Sequence, residues 1–176
     1  MGRTHIAFLR SINVGKRRVT NDELVAAFVA AGAVDAMAYQ AAGNVLFSPV
    51  EQVGTDALSA ALAAQLGFAV PVVVRSRTDL EALLAEEPFP KAALLRATGK
   101  AQVIFVKDDL SARSQAAIEA GCPPGDRLVA TATHVHWLPA DGVSNSSLRL
   151  TDIDRHGGVA TVRTRSTVER IVGKLS

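Results

Sequence analysis

The chain has 176 residues, of which 48% are hydrophobic, 5% aromatic and 20% charged, with a net charge of +2 and one cysteine. This composition excludes a disordered tail, a collagen and a disulfide-stapled secreted module, because those classes need few apolar residues, periodic glycine and paired cysteines respectively. At roughly 100 to 200 residues per domain, the length fits one domain or two small ones.

Neither the apolar runs nor the start of the chain predicts membrane insertion or export. No apolar run reaches the roughly 18 residues that a transmembrane helix needs, and the start of the chain does not resemble a signal peptide. We therefore expect a cytoplasmic protein with no membrane partner. The lone Cys122 lies in a Gly-Cys-Pro-Pro-Gly turn, where we expect a structural role.

The charges are segregated along the chain. Residues 1–20 carry five basic and no acidic side chains, and residues 21–89 carry two basic and nine acidic ones. Residues 90–176 carry twelve basic and eight acidic side chains. Two basic segments thus flank an acidic one, and basic segments favour anionic partners.

The first half of the chain predicts the order strand, helix, two strands, helix, strand. A strand over 5–10 is followed by a capping box at Thr20–Glu23, which opens a helix that Gly32 ends. The other predicted elements are strands over 36–40 and 44–48 joined around Ala42-Gly43, a helix from a Thr55 cap to Gly67, and a strand over 69–74.

The same order recurs after a helix that a Thr78–Glu81 capping box begins and that Pro88 and Pro90 end. The predicted elements are a strand over 101–106, a helix over 111–120, strands over 127–133 and 135–138, a helix over 146–156, a strand over 160–163, and a last helix from a Ser166–Glu169 capping box.

This repetition predicts an α+β fold. We expect a tandem duplication of ferredoxin-like (α-β plait, βαββαβ) units packed together, over residues 1–77 and 78–176, the second with an added C-terminal helix. The alternative is a doubly wound parallel sheet, but the connections between neighbouring strand pairs are too short for parallel crossovers.

The loop over 10–18 is a candidate anion site. It lies between a strand end and a helix start, where free amides and the helix dipole favour anions, and it contains three consecutive cations. Asn13 and Gly15 are turn residues. The spacing of a P-loop is absent, and a solvated basic loop is the alternative.

Two later segments add candidate residues. Gly43-Asn44 is typical of a hairpin turn. The alternative is a functional role, in which the Asn44 side chain points toward the basic loop. Arg163 and Arg165 share a face of the predicted strand, where two guanidinium groups can clamp a phosphate or carboxylate. Exposed arginines on an edge strand are the alternative.

His134 and His136 lie on one face of a predicted strand, a spacing compatible with two metal ligands. The sequence offers no third ligand at a matching spacing, and Asp152, Asp154 and His156 would reach the pair only through an unknown fold. We therefore expect neither a metal nor another cofactor, and we expect Trp137 to pack in a core.

Four segments resemble a known family: Phe8–Lys16, Tyr39–Phe47, Glu87–Phe89 and Val159–Val168. They are similar to the uncharacterised bacterial domain-of-unknown-function family 1697, and the resemblance spans nearly the whole chain. It implies two α-β plait units and no established activity. The matching positions are Arg10, Asn13, Val14, Gly15, Gly43, Asn44, Thr161, Arg163 and Thr167.

The chain also departs from the family pattern. Ser11 stands where the family usually has glycine, and Ala42 where it has serine. Residues 161–167 read Thr-Val-Arg-Thr-Arg-Ser-Thr in place of Thr-Thr-Arg-Asn-Trp-Asn-Thr. If that replaced core binds a ligand in relatives, the contact is changed here, although Arg163 is retained.

We predict an anion-binding module whose partner is a nucleotide, a phosphorylated small molecule or a nucleic-acid backbone. Few aromatic residues favour the small ligand, because bases stack on exposed rings. The alternatives are an enzyme on a small molecule with Arg163 as anion clamp, and a protein-interaction scaffold. Catalytic residues and oligomeric state stay open. The predicted ligand-binding residues are Arg10, Asn13, Gly15, Lys16, Arg17, Asn44 and Arg163.

Overall fold

The computed structural model describes residues 2–10, 12–13, 18–40, 43–49 and 54–176. Within these ranges the chain is α+β, with eight strands in two four-stranded antiparallel sheets, seven α-helices and one short 3₁₀ helix. The chain divides into unit 1, residues 1–81 with 171–176, and unit 2, residues 82–170. In these described ranges no helix is long and apolar enough to cross a membrane.

Unit 1 contains one sheet with the strand order β2-β3-β1-β4. Two helices cover it, and their apolar residues Leu24, Phe28 and Leu62 pack with sheet residues into one buried core. The elements are β1 (His5–Leu9), α1 (Asn21–Ala30), β2 (Ala33–Ala38), β3 (Asn44–Pro49), α2 (Thr55–Leu66) and β4 (Val72–Ser76).

The predicted start of α1 is confirmed. The Thr20 hydroxyl accepts a hydrogen bond from Glu23 N at 3.2 Å, and the Glu23 carboxylate accepts one from Thr20 N at 2.7 Å. These bonds satisfy amides that the helix leaves without partners. The bond from the Thr20 backbone, helped by one from its hydroxyl, also holds the pKa of Glu23 below its ordinary value.

Unit 2 repeats this arrangement, with the strand order β6-β7-β5-β8. The registers agree as well: Phe8 of β1 lies opposite Asn44, and Phe105 of β5 lies opposite His134. The elements are α4 (Lys91–Arg96), β5 (Gln102–Val106), α5 (Ala112–Ala120), β6 (Arg127–Ala130), β7 (His134–Leu138), a 3₁₀ turn (Val143–Asn145), α6 (Leu150–Gly157) and β8 (Ala160–Thr164).

The helices that follow the two last strands begin earlier than the sequence predicts. Helix α3 (Arg77–Ala85) starts one residue after Ser76, whose hydroxyl accepts from Asp79 N at 3.1 Å. Helix α7 (Arg165–Val172) starts one residue after Thr164, whose hydroxyl accepts from Thr167 N at 3.1 Å. The predicted capping boxes at Thr78 and Ser166 are therefore wrong, because both residues already lie inside a helix.

Two further predictions differ from the structure. Helix α4 was not predicted, and it begins after Pro90, whose fixed φ suits a helix start. Strand β2 begins at Ala33, before the predicted 36–40, and its pairing with β3 shifts between Val34 and Met37, where Asp35 adopts a positive φ of 53°. A bulge of this kind breaks the alternation on which strand prediction depends.

The last residues of the chain group with unit 1, not with unit 2 as the predicted boundary at 77/78 has it. Ser176 N donates to Arg3 O at 2.9 Å, and Arg77 Nη1 donates to Leu175 O at 3.1 Å. The Lys174 ammonium lies 5.4 Å from the centre of the Tyr39 ring. These contacts tie the end of the chain to the first unit.

Candidate functional site

The predicted anion site at the basic loop is described only in part. Gly15, Lys16 and Arg17 lie outside the described residues, as does Ala42 of the hairpin. Arg10 follows directly after β1, and its amide donates to Pro71 O at 3.0 Å. The participation of this loop in ligand binding stays a prediction.

Asn13 and Asn44 each make a local hydrogen bond in unit 1. Asn13 Oδ1 accepts from Val19 N, just before α1, at 2.8 Å. Asn44 is fully buried, and its Nδ2 donates to Tyr39 O at 3.2 Å across the hairpin. Arg10 and Asn44 both lie at the end of the sheet where Leu9 N donates to Gly43 O.

Gly43 lies close to β1, and its replacement tests the structural interpretation. It has a φ of +69°, and an added Cβ would lie 3.0 Å from Leu9 O. Gly43→Ala is expected to lower the free energy of unfolding by about 2 to 3 kcal/mol, because a left-handed alanine and a close approach are both unfavourable. Urea unfolding followed by circular dichroism measures it.

Gly67 provides the matched control for this substitution. Its φ is +77°, but an added Cβ would meet nothing within 4 Å. Gly67→Ala therefore carries the backbone cost alone, about 1 to 2 kcal/mol. Equal losses in the two variants would show that the approach to Leu9 O does not constrain the hairpin.

Arg163 and Arg165 belong to unit 2, and they do not share a strand face as predicted. Strand β8 ends at Thr164, so Arg165 is the first residue of α7. Arg163 Nη1 donates to Thr161 Oγ1 at 2.9 Å and to Val162 O at 2.7 Å, both on its own strand. Burial lowers the pKa of Arg163 to about 10.

Arg165 instead lines a cavity of about 160 Å³ within unit 2. His136 on β7 lines this cavity, and its ring stands edge-on to the ring of Phe89, with 6.4 Å between the ring centres. Charged groups of both signs reach the cavity. The lining residues are Glu86, Glu87, Pro88, Phe89, Lys91, Leu94, Ala101, Gln102, His136 and Arg165.

The Arg165 guanidinium is held on one side only. Its Nη2 donates to Leu84 O at 2.5 Å and to Glu86 O at 3.2 Å, and its Nε lies 3.7 Å from the Glu169 carboxylate. Its Nη1 is buried and has no hydrogen-bond partner in the described part of the chain. Buried donors of this kind are rare in native proteins, so this one calls for an explanation.

A cluster of two imidazoles and a carboxylate forms one side of the cavity. His134 Nε2 and His136 Nε2 are 3.0 Å apart, as expected for two residues on one face of a strand. Glu86 Oε2 lies 3.2 Å from His134 Nε2 and 2.7 Å from His136 Nε2. The sequence offers no third ligand at a matching spacing, but the fold brings Glu86 to the histidine pair from 48 and 50 residues away.

The protonation states follow from the surroundings. Burial, together with the positive charge of Arg165, lowers the pKa of His136 by more than the Glu86 carboxylate raises it, so this imidazole is neutral at pH 7. Burial raises the pKa of Glu86, but the hydrogen bonds and charges of the two imidazoles lower it by more. Glu86 is therefore an ionised acceptor, and its side chain is 41% exposed.

Sequence reasoning found the histidine pair and Arg165 but missed Glu86 and Lys91. Glu86 lies just before the Glu87–Phe89 segment that carries part of the family resemblance, where α3 ends. The signal that marks it is the Glu-Glu-Pro-Phe-Pro run, because prolines end the helix and turn the chain at a defined place. Nothing local links this run to a strand almost fifty residues later.

The fold and the cavity define a two-unit α+β protein in which each unit carries one four-stranded antiparallel sheet. The chain belongs to the family described as protein of unknown function DUF1697, which matches residues 2–136. The resemblance found in the sequence is thereby confirmed, although the segment 159–168 lies beyond the matched residues.

Similar solved structures include that of the conserved bacterial protein SP0830 from Streptococcus pneumoniae. The likeness has a TM-score of 0.71 and 18% sequence identity, and it covers 98% of each chain. At this identity the likeness shows a shared fold alone. No curated protein matches the chain.

Proposed function

We propose that the protein binds a small organic anion, a phosphate or carboxylate carried on a compact apolar body, in the cavity of unit 2. The observation that carries this proposal is the buried Arg165 Nη1, which has no hydrogen-bond partner in the described ranges. A guanidinium is a strong donor for phosphate and carboxylate oxygens. Arg165 lines the cavity, so in this proposal an anion bound there accepts from its guanidinium and supplies the partner that Nη1 lacks.

The Arg165 side chain is pre-positioned for this role. Its Nη2 is fixed by two main-chain carbonyls, so the guanidinium cannot turn away from the cavity without losing both bonds. Lys91, the exposed first residue of α4, also lines the cavity and brings a second positive charge. In this proposal Arg165 replaces Arg163 as the anion clamp, because Arg163 is bonded to its own strand.

The size and lining of the cavity narrow the predicted ligand class. Its volume of about 160 Å³ is small beside the roughly 300 to 1,000 Å³ of sites that enclose a drug-sized ligand. Pro88, Phe89 and Leu94 supply apolar contact. These features favour a small phosphorylated or carboxylated molecule over a whole nucleotide or a nucleic-acid backbone.

Calorimetric titration of the chelator-treated chain tests the proposal. The probes are phenyl phosphate and benzoate, with benzyl alcohol as the uncharged control, and we expect the anions to bind and the alcohol not to bind. Arg165→Gln is expected to weaken phenyl phosphate binding about tenfold or more, since hydrogen bonds to charged groups contribute roughly 1.5 to 3 kcal/mol.

The matched control is Arg155→Gln, which removes the same charge from a side chain that is 76% exposed on α6. It should leave binding unchanged. Lys91→Gln is a second test that spares the buried bonds of Arg165, and it should weaken binding severalfold and reduce its dependence on salt. The proposal fails if neither anion binds, or if Arg165→Gln and Arg155→Gln bind phenyl phosphate equally.

We also propose that each unit is a ferredoxin-like plait and that the chain is a duplication of it. The shared strand order supports this, as does a repeated detail: Arg77 and Arg165 each begin the helix after a last strand and each pair with a glutamate one turn later, Glu81 and Glu169. A cytoplasmic location remains part of the proposal, and cell fractionation tests it.

A further inference from the structure

We propose that Glu86, His134 and His136 form a binding site for a divalent first-row transition metal, with coordination positions open toward the cavity of unit 2. This inference goes beyond anion binding and stands on different atoms. In the described ranges, these residues are the one group of three potential ligands whose atoms all lie within 4.8 Å of one another.

The two imidazoles are fixed by the sheet. His134 and His136 alternate with Val135 on β7, so both side chains leave the same face, and both are almost completely buried. Their ring planes stand at 88° to each other, with centres 4.6 Å apart. This arrangement directs the Nε2 atoms of both rings to one point without any contribution from a flexible loop.

The spacing of the three ligand atoms suits a shared metal ion. Atoms bound to one ion at about 2.0 to 2.2 Å are separated by roughly 3.0 Å in octahedral and 3.3 Å in tetrahedral geometry. The separations of 2.7, 3.0 and 3.2 Å are close to these values. Small side-chain rotations are enough to place all three atoms around one ion.

Two hydroxyls lie behind the His134 ring. Thr131 Oγ1 lies 3.1 Å and Thr133 Oγ1 lies 3.0 Å from His134 Nδ1, and the Thr131 hydroxyl also donates to His134 O at 3.0 Å. When Nδ1 donates to the Thr131 oxygen, Nε2 presents a lone pair to the cluster. A hydrogen bond from the second ring nitrogen is the usual way in which proteins orient a metal-binding histidine.

In that tautomer the converging groups suit a cation. The His134 Nε2 lone pair and the Glu86 Oε2 are then both acceptors and lie 3.2 Å apart, while His136 Nε2 can supply one proton to the pair. A divalent ion satisfies all three atoms at once. The rival is a His134 ring, neutral or charged, whose Nε2–H donates to Glu86, and it is an outcome of the test below.

The ligand types select the class of metal. Two imidazoles with one carboxylate suit zinc, cobalt, iron and nickel, whereas magnesium and calcium prefer oxygen ligands. Three protein ligands also leave the ion with positions for water or a ligand, as in catalytic rather than structural zinc sites. Since Glu86 and His136 line the cavity, those positions face the place where the anion is proposed to bind.

Cobalt titration of the full chain, freed of any tag and treated with chelator, tests the site. We expect one equivalent of Co²⁺ to produce visible d–d absorption bands, and Zn²⁺ to displace it. Glu86→Gln is expected to weaken Co²⁺ binding at least tenfold. The matched control, Glu87→Gln, removes the neighbouring charge but no ligand, and should weaken binding about threefold or less.

A measurement on the unsubstituted protein covers the case in which Glu86→Gln fails to fold. The chain has four histidines, and Zn²⁺ should shift the imidazole ¹⁵N resonances of His134 and His136 but not those of His5 and His156. A site held by a proton alone would show no such shift and no cobalt bands, and that result overturns the inference. These titrations contain no phosphate and the anion titrations contain no metal, so the two proposals fail separately.

Discussion

Asp126→Ala is expected to lower the free energy of unfolding of unit 2 by about 3 kcal/mol. The Asp126 carboxylate accepts from Trp137 Nε1 at 2.9 Å, from Ser146 Oγ at 2.5 Å and from Ala140 N at 2.9 Å. Trp137 is 2% exposed, so its indole N–H has no water to replace the lost acceptor. Leaving a buried donor unsatisfied costs roughly 1 to 3 kcal/mol, in addition to the bonds lost.

The fluorescence of Trp137 measures this effect directly, because it is the only tryptophan in the chain. Ser146→Ala removes one of the three bonds and should cost about 1 kcal/mol. Asp141→Ala, at an exposed position nearby in sequence, is the matched control and should change stability by less than about 0.5 kcal/mol. An Asp126→Ala variant as stable as Asp141→Ala would contradict the bridging role of the carboxylate.

Phenyl phosphate is expected to bind roughly ten to a hundred times more tightly when Zn²⁺ is bound. Two acidic and two basic side chains line the cavity, so their formal charges cancel in the metal-free protein. A divalent ion at Glu86 and His136 would leave the cavity with an excess of positive charge and would offer the anion a direct ligand bond. Coupling between two ligands is reciprocal, so phenyl phosphate should tighten Zn²⁺ binding by the same factor.

Calorimetric titrations of each ligand in the presence and absence of the other measure this coupling. Arg155→Gln should retain it, whereas Glu86→Gln should lose most of it because the metal no longer binds well. If phenyl phosphate binds equally with and without saturating Zn²⁺, the metal and the anion occupy separate places, and the open coordination positions do not face the anion.

Local chemistry explains which elements could be predicted from the sequence. The capping box at Thr20 and the left-handed Gly67 each act within a few residues, and both are found where expected. The predicted starts of α3 and α7 are wrong because the sequence offers competing hydroxyl caps, Ser76 before α3 and Thr164 before α7. Ser76 and Thr164 become the caps because each is the last residue of a paired strand. The free energy of strand pairing is larger than the difference between two similar caps.

The candidate site was predictable only in part for a different reason. Alternation along a strand was enough to place His134 and His136 together. Glu86 reaches them through a tertiary contact across 48 and 50 residues, and Arg165 contacts Leu84 O across 81. No local pattern encodes such contacts. The sequence of residues 161–167 predicts Arg163 as the ligand-binding arginine. Because β8 ends at Thr164, however, the arginine that lines the cavity is Arg165.

The matching registers of the two sheets make the halves comparable position by position. Phe8 and Phe105 correspond, so Asn44 of unit 1 occupies the place of His134 in unit 2, and Leu46 the place of His136. In unit 1 these two positions hold a hairpin hydrogen bond and a buried leucine, whereas in unit 2 they hold two imidazoles. Under the proposed metal site, unit 1 is therefore the reference for what the same scaffold does with Asn44 and Leu46 in place of the two imidazoles.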